Sequence, residues 1–304
     1  MNKILWSLFF LSPCFSVSHS KASPRAVCNL IKVNTQRAFR HLSTKASGIE
    51  ELCGVSQFQN RRPYQEDRCF LGHIKPGILY AGVCDGHGGD AVADSAAYLF
   101  PKQLQSLWGA YNEVEPSLLE AVANTEEQLL ENHQEVNKGI CGSTLSSAII
   151  TPSKVHLVQL GDSAIIGLVG DECTSLVTEH KPDAEEEKER IEGAGGEVID
   201  AFGANRLMGT LAVSRALGNF ALKHYGLSAI PQIISIPRTK DFKALVIASD
   251  GLTEGLSLDE VQEILYTCSN AKQAAEKLTM SAADRSEDNI STIVIPLFKF
   301  PSEL

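Results

Sequence analysis

From Gly54 to Gln59 the side chains alternate in polarity with the two-residue period of a half-buried strand. Two further strands are expected at Arg68–Leu71 and Ile78–Cys84, joined by a turn at Pro76-Gly77. The period then changes. The stretch from Asp90 to Trp108 reads as a helix, and so does Pro116 to His133. In the second, Pro116 suits the first turn, and Leu118, Leu119, Val122, Leu129 and Leu130 recur at helical spacing as a face for the core. Short apolar runs return at 145–151, 154–160 and 164–169, punctuated by Thr151-Pro152-Ser153 and Gly161-Asp162-Ser163. A third helix is expected over 183–194, with Asp183 and Glu186 as a capping box and Gly195-Gly196 as its stop. Residues 201–209 read as irregular. A buried-type strand at 244–248 runs into Ser249-Asp250-Gly251, Ser257 with Glu260 and then Asn270 start two more helices, and 290–297 closes as a strand. No repeat or linker interrupts residues 49–300, which are expected to form one α+β domain.

Composition changes the picture only at the amino terminus. The chain of 304 residues is 43% hydrophobic and 21% charged, enough for a sizeable core. Its net charge is −10, yet Lys3, Lys21, Arg25, Lys32, Arg37, Arg40 and Lys45 all precede the first acid, Glu50. The body is therefore more acidic than the whole, which speaks against nonspecific binding to nucleic acid and suits a site that gathers cations. Residues 1–48 read as a targeting leader outside the fold. Ile4–Phe15 is apolar but short for a membrane span, so no stable span is expected. The basic, hydroxyl-rich stretch behind it, and Arg40-His41-Leu42-Ser43, resemble a mitochondrial presequence with cleavage after Leu42. A matrix address is favoured, with the secretory pathway or a plastid of secondary origin as alternatives. Eight cysteines without a Cys-x-x-Cys pair suggest buried, reduced thiols rather than zinc or a disulfide framework.

The candidate chemistry lies where apolar runs meet acids. Asp85 ends the Tyr80–Cys84 run and is followed by Gly86-His87-Gly88-Gly89, Asp250 ends the 244–248 run, and Asp288 stands before the last strand. Any one Asp-Gly or Asp-Asn pair is most often a turn or a cap. If the sheets bring these three carboxylates together, they cannot all ionise without a cation. Glu66 supplies a fourth carboxylate. A donor set made only of oxygen favours Mg²⁺ or Mn²⁺ over zinc. Thr144, beside Ser143, has no base partner in the sequence and is not expected to be a nucleophile.

The order of these pieces resembles the metal-dependent protein serine/threonine phosphatases of the PPM (type 2C) family, including its mitochondrial members. The resemblance runs from about Gly54 to Phe298. It is carried by Arg62-Pro63-Tyr64-Gln65-Glu66-Asp67, Asp85-Gly86-His87-Gly88-Gly89, Gly142-Ser143-Thr144, Gly161-Asp162-Ser163 and His180-Lys181-Pro182. Glu189-Arg190-Ile191, Leu211–Gly218, Ser249-Asp250-Gly251 and Glu287-Asp288-Asn289 complete it. It implies a four-layer α-β-β-α sandwich, two antiparallel sheets face to face with helix pairs outside. It also implies two Mg²⁺ or Mn²⁺ ions bridged by Asp85. Glu66 and the Gly86 carbonyl would complete one shell, and Asp250 and Asp288 the other. Asp67 would support the site from behind, and Asp162, with Glu254, marks a third, weaker ion or an outer shell. Arg62 would grip the phosphate as a bidentate fork. His87 would protonate the leaving oxygen while a water activated by both metals attacks phosphorus.

Three departures from the family pattern stand out. Ala164 replaces the arginine usual after Gly-Asp-Ser, Asn219 replaces the aspartate usual after Arg-Ala-Leu-Gly, and Thr253-Glu254 stands for Trp-Asp. None removes a ligand of the two metals. The expected activity is hydrolysis of phosphoserine and phosphothreonine in proteins by a monomer, with mitochondrial dehydrogenase complexes among the implied substrates. The rivals are a hydrolase of small phosphoesters, separable by comparing phosphoproteins with phosphosugars, and a catalytically weak binding domain. The intact set from Arg62 to Asp288 speaks against the second rival.

Overall fold

A computed structural model describes residues 53–133 and 139–298; the expected leader lies outside them. The strands in chain order are β1 (Gly54–Phe58), β2 (Arg68–Lys75), β3 (Ile78–Cys84), β4 (Gly86–His87), β5 (Gly142–Ser143), β6 (Leu145–Ile150), β7 (Lys154–Leu160) and β8 (Ala164–Val169). They continue as β9 (Glu172–Ser175), β10 (Val198–Ala201), β11 (Ala204–Leu207), β12 (Leu217–Gly218), β13 (Gln232–Pro237), β14 (Phe242–Ala248) and β15 (Ile290–Pro296). The helices are α1 (Ala91–Leu107), α2 (Val114–His133), α3 (Glu185–Gly193), α4 (Asp250–Gly255), α5 (Leu258–Thr267) and α6 (Ala271–Ala283), with a 3-10 turn at Phe220–Tyr225.

Two five-stranded antiparallel sheets, ordered β1-β15-β14-β8-β9 and β13-β7-β6-β3-β2, make the two inner layers. β3 shows why its residues form a central strand. Ala81 and Val83 point into the core between the sheets with Leu157, Ile165, Leu245, Ile247 and Ile293. Tyr80 and Cys84 face the other way, against Phe100 and Leu104 of α1 and Leu118 and Leu129 of α2. Both faces are covered, so the strand reads as a continuous apolar run. On the opposite side α5 and α6 pack Val261, Leu265, Ala274 and Leu278 against Ile166, Val246 and Val294. The expected four-layer sandwich is therefore present. Burial holds the thiols of Cys53 and Cys84 up at about 12, so Cys84 is an inert core residue although it adjoins Asp85.

Helix starts follow local chemistry where no outside partner competes. Ser257 and Glu260 form the full capping box of α5, and Asn270 accepts from the Gln273 N–H at the start of α6. The box expected from Asp183 does not form. The residue before the helix is Ala184, which offers no side-chain cap, while the Asp183 carboxylate accepts from the Asn205 amide at 3.0 Å instead. In α2, Leu118, Val122 and Leu129 are buried as expected, but Leu119 and Leu130 are 39% and 40% exposed. Leu130 lines a groove of about 520 Å³ with Phe220, Lys223 and Ile230, and none of the candidate carboxylates borders it. Among the described residues no helix is long and apolar enough to cross a membrane.

His180, bonded to the Gly161 turn between β7 and β8, provides a probe of the fold in solution. It is 4% exposed, and its Nδ1 accepts from the Gly161 N–H at 3.1 Å. Burial, helped by the nearby Arg215 charge, lowers its pKa to about 4. An unfolded histidine titrates near 6.5, so the unfolded chain binds the extra proton first and stability falls as pH drops below that value. The expected loss between pH 7 and pH 5 is about 2 kcal/mol from this residue. Urea unfolding of the full chain and of His180→Gln at both pH values checks it; an equal loss in both proteins refutes the assignment.

Candidate active site

Three chain segments converge at one end of the sandwich. The first is the β3–β4 turn, where Asp85 is fixed through its backbone. Its N–H donates to Thr144 Oγ1 at 3.0 Å, and its carbonyl accepts from the Thr144 N–H at 2.9 Å. Thr144 is thereby structural, its hydroxyl also bonded to Ser163 Oγ at 2.8 Å. Gly86 is dictated by space, since a Cβ there would sit 2.5 Å from the Glu66 carbonyl oxygen. The second segment is the β1–β2 loop carrying Arg62, Glu66 and Asp67. The Glu66 carboxylate accepts from the Gly89 N–H at 2.6 Å, which ties this loop to the glycine turn before α1. The third comprises the start of α4 and the residues just before β15. Gly251 lets them touch, because a Cβ there would lie 2.2 Å from the Asn289 carbonyl oxygen.

These segments bring carboxylates together. Oxygens of Asp250, Glu254 and Asp288 lie within 4.8 Å of one another. Burial first, and then the charges of Asp67, Asp250, Asp162 and Asp288, push the Asp85 carboxyl well above its ordinary range. Burial with Asp162, Asp288 and Glu254 pushes Asp250 up to about 8. Asp67 is 1% exposed, is raised to about 6 by burial, and has one carboxylate oxygen, Oδ2, with no hydrogen-bond partner. A crowd of acids that resist ionisation, with oxygen donors only and one of them unsatisfied, fits a hard divalent cation.

The remaining expected residues surround this cluster. The Arg62 guanidinium donates to Asp288 Oδ2 at 2.5 Å. His87 Nε2 meets Asn219 Oδ1 at 2.7 Å. Burial lowers the ring below the ordinary histidine value, against the opposing pull of the Asn219 contact and of the Asp162 and Glu66 charges. Asp162, expected to serve a third ion, is paired with the Lys181 ammonium. Glu254 joins Asp250 and Asp288 and also accepts from the Ser286 hydroxyl at 2.8 Å. Sequence reasoning assigned no role to Asn289, yet it is a hub. Its amide donates to the Gln59 and Tyr64 carbonyls at 2.9 and 3.0 Å, and its Oδ1 accepts from the Glu66 N–H at 2.8 Å. An asparagine at the mouth of a strand, next to a candidate ligand, was the available signal. Asn219 stood out in the sequence only as a departure from the expected pattern and Lys181 only within a matching motif; their contacts could not be read there, because their partners are remote in sequence.

Comparison with known proteins follows the same outline. A family model described as Protein phosphatase 2C matches residues 51–290. "Probable protein phosphatase 2C 45" of Oryza sativa subsp. japonica is 34% identical over 215 residues, 70% of this chain and 75% of that protein. "Probable protein phosphatase 2C member 13, mitochondrial" of the same organism is 33% identical over 247 residues, 80% of this chain and 67% of that protein. Among solved structures, the serine-threonine phosphatase 2C from Toxoplasma gondii superposes with a TM-score of 0.73 at 25% identity. That match covers 80% of this chain and 94% of the other.

Proposed function

Since the chain belongs to the metal-dependent protein phosphatase 2C family, we propose that it hydrolyses phosphoserine and phosphothreonine in proteins with two divalent cations at the Asp85–Asp250–Asp288 cluster. The observation that carries this reading is that oxygens of Asp250, Glu254 and Asp288 lie within 4.8 Å of one another, near enough to Asp85 for the Asp250 and Asp288 charges to help burial keep it from ionising. Asp85 is proposed to serve both ions. Glu66 and the Gly86 carbonyl are proposed for one shell and Asp250 and Asp288 for the other, with Asp67 behind them. Bound Mg²⁺ or Mn²⁺ supplies positive charge that acidifies water and offsets charge on the phosphoryl group. A third, weaker ion near Asp162 and Glu254 would compete with the Lys181 ammonium for Asp162.

The chain's own residues do the rest. Arg62, half exposed and paired with Asp288, can turn its fork to the phosphate once cations neutralise that carboxylate. His87 holds the proton for the leaving oxygen. Residues 1–48 are proposed as a mitochondrial presequence ahead of a single catalytic domain, 49–300. That proposal leans on the leader's composition and on one relative whose name says mitochondrial. Phosphoproteins of the matrix, dehydrogenase complexes among them, are the substrates it suggests.

Phosphate release from a phosphothreonine peptide is expected with Mn²⁺ and not with chelator. Phosphosugars and nucleotides are expected to turn over far more slowly. Silence on every phosphopeptide by folded, metal-loaded protein would overturn the proposal, and preference for the small esters would make it a metabolite phosphatase. A fluorescent fusion of residues 1–48 that enters the secretory pathway would refute the mitochondrial address.

A further inference from the structure

We infer that Asn219 is a positioning residue that fixes the tautomer and aim of His87, so that the proton given to the departing alcohol leaves from Nδ1. The inference rests on His87 being the general acid. Asn219 follows β12 in the left-handed conformation, φ 47°, and is 1% exposed. Its backbone N–H donates to the Cys141 carbonyl at 2.8 Å. Its side chain has one reading only. The amide nitrogen donates to the Ile140 carbonyl at 2.6 Å, so the oxygen must face His87. The reversed amide would set its oxygen against the Ile140 carbonyl oxygen, two acceptors with no hydrogen between them.

An amide oxygen only accepts, so the 2.7 Å contact requires that His87 Nε2 carry a hydrogen. The neutral ring is then the Nε2–H tautomer. With Nε2 held by Asn219, Nδ1 is the ring nitrogen left to give a proton to the departing oxygen. As the phosphorus–oxygen ester bond breaks, its electron pair goes to the alcohol oxygen, which takes the Nδ1 proton. Water forms the new bond to phosphorus and releases a proton to solvent, from which Nδ1 is recharged.

The support around Asn219 is tight. A Cβ on Gly142 would lie 1.9 Å from the Asn219 amide oxygen, so only glycine leaves this space. The preceding Gly218 N–H donates to the Glu126 carboxylate of α2 at 2.9 Å, and the other Glu126 oxygen holds Lys223 at 2.7 Å. An asparagine here orients the ring without adding an anion beside it, where the charges of Asp162 and Glu66 already act.

The test measures kcat and KM of the full chain with Mn²⁺ on a phosphothreonine peptide and on p-nitrophenyl phosphate, whose leaving group departs without a proton. If His87 is the acid, His87→Asn lowers kcat on the peptide by about 10²-fold or more and on the aryl ester by only a few-fold. Asn219→Ala is expected to show the same split, about 30-fold against a few-fold, with KM unchanged. Asn219→Asp keeps an acceptor on Nε2 and is expected to restore most of the peptide rate. Equal losses on both substrates in Asn219→Ala, with the split intact in His87→Asn, overturn the inference alone. No split in His87→Asn overturns the general-acid reading instead. Nitrogen-15 NMR of the wild-type ring decides the tautomer independently of any variant: Nε2–H supports the inference and Nδ1–H refutes it.

Discussion

Asp250→Asn is expected to lower turnover by at least about 10³-fold and, in the same protein, to raise the melting temperature of the metal-free fold. The first effect follows if Asp250 holds a cation that stabilises several kcal/mol of transition-state charge, since about 4 kcal/mol is a thousandfold in rate. The second follows from the electrostatics of the empty cluster. Burial and the charges of Asp162, Asp288, Glu254 and Asp67 push Asp250 from 3.8 up to about 8. A carboxyl whose folded pKa is raised favours folding below its unfolded value, and that contribution is lost as pH rises through the folded one. Above about pH 8 the ionised side chain therefore strains the metal-free protein, and the neutral isostere relieves it. A gain of about 1–2 kcal/mol would appear as a rise of about 2–6 °C in a domain of this size. Adding Mn²⁺ should reverse the order, stabilising the wild type and not the variant. Thermal melts at pH 8.5 with chelator and with Mn²⁺ check this. A variant that melts lower without metal would mean that Asp250 supports the fold rather than the ion.

The carboxylate set was legible because each member sits where an apolar strand meets a turn. Asp85 and Asp250 follow strands and precede glycine, and Asp288 precedes one, so the continuous apolar runs and the turn residues that bound them placed all three at strand ends. β7 and β8 were legible to the residue, since Pro152 and Gly161 punctuate them. The β10–β11 hairpin was not. Its two-residue turn is Phe202-Gly203, both at positive φ, in place of the Asn-Gly that usually signals such a turn, and Phe202 is 93% exposed. β13 was also missed. It is a half-exposed edge strand paired only with β7 and ending on Pro237, and Gln-Ile-Ile-Ser-Ile-Pro has no clean alternation. The same limit applies in the site. A carboxylate announces its chemistry by type, whereas Asn219, Asn289 and Lys181 act through partners that only the fold supplies.

Glu187→Ala is expected to destabilise the protein by about 2–4 kcal/mol, the largest loss predicted for a single residue outside the acid cluster. Glu187 of α3 is 4% exposed and accepts from three side chains. Arg190 reaches it at 2.8 Å, the Ser214 hydroxyl at 2.5 Å and Arg215 Nε at 2.9 Å, with a second Arg215 contact beside the last. Although burial opposes ionisation, these donors hold its carboxyl well below the usual range. Removing it leaves two partly buried guanidinium groups without an anion and a buried serine without its acceptor, which costs more than the pair itself contributed. The pH dependence has the opposite sign to that of Asp250. A depressed carboxyl contributes stability above its unfolded pKa, near 4.5, and loses it as pH falls toward the folded value, so the gap between wild type and variant should close in acid. The damage should also spread in a definite direction. Ser214 and Arg215 lead directly into Leu217, Gly218 and Asn219, so loosening them frees the residue that holds His87. Chemical denaturation at pH 7 and pH 4, with a double-mutant cycle through Arg215→Met, measures both terms. A loss below about 1 kcal/mol at pH 7, or additive singles, would show that the cluster is a solvated surface network rather than the strut that carries α3 to the active site.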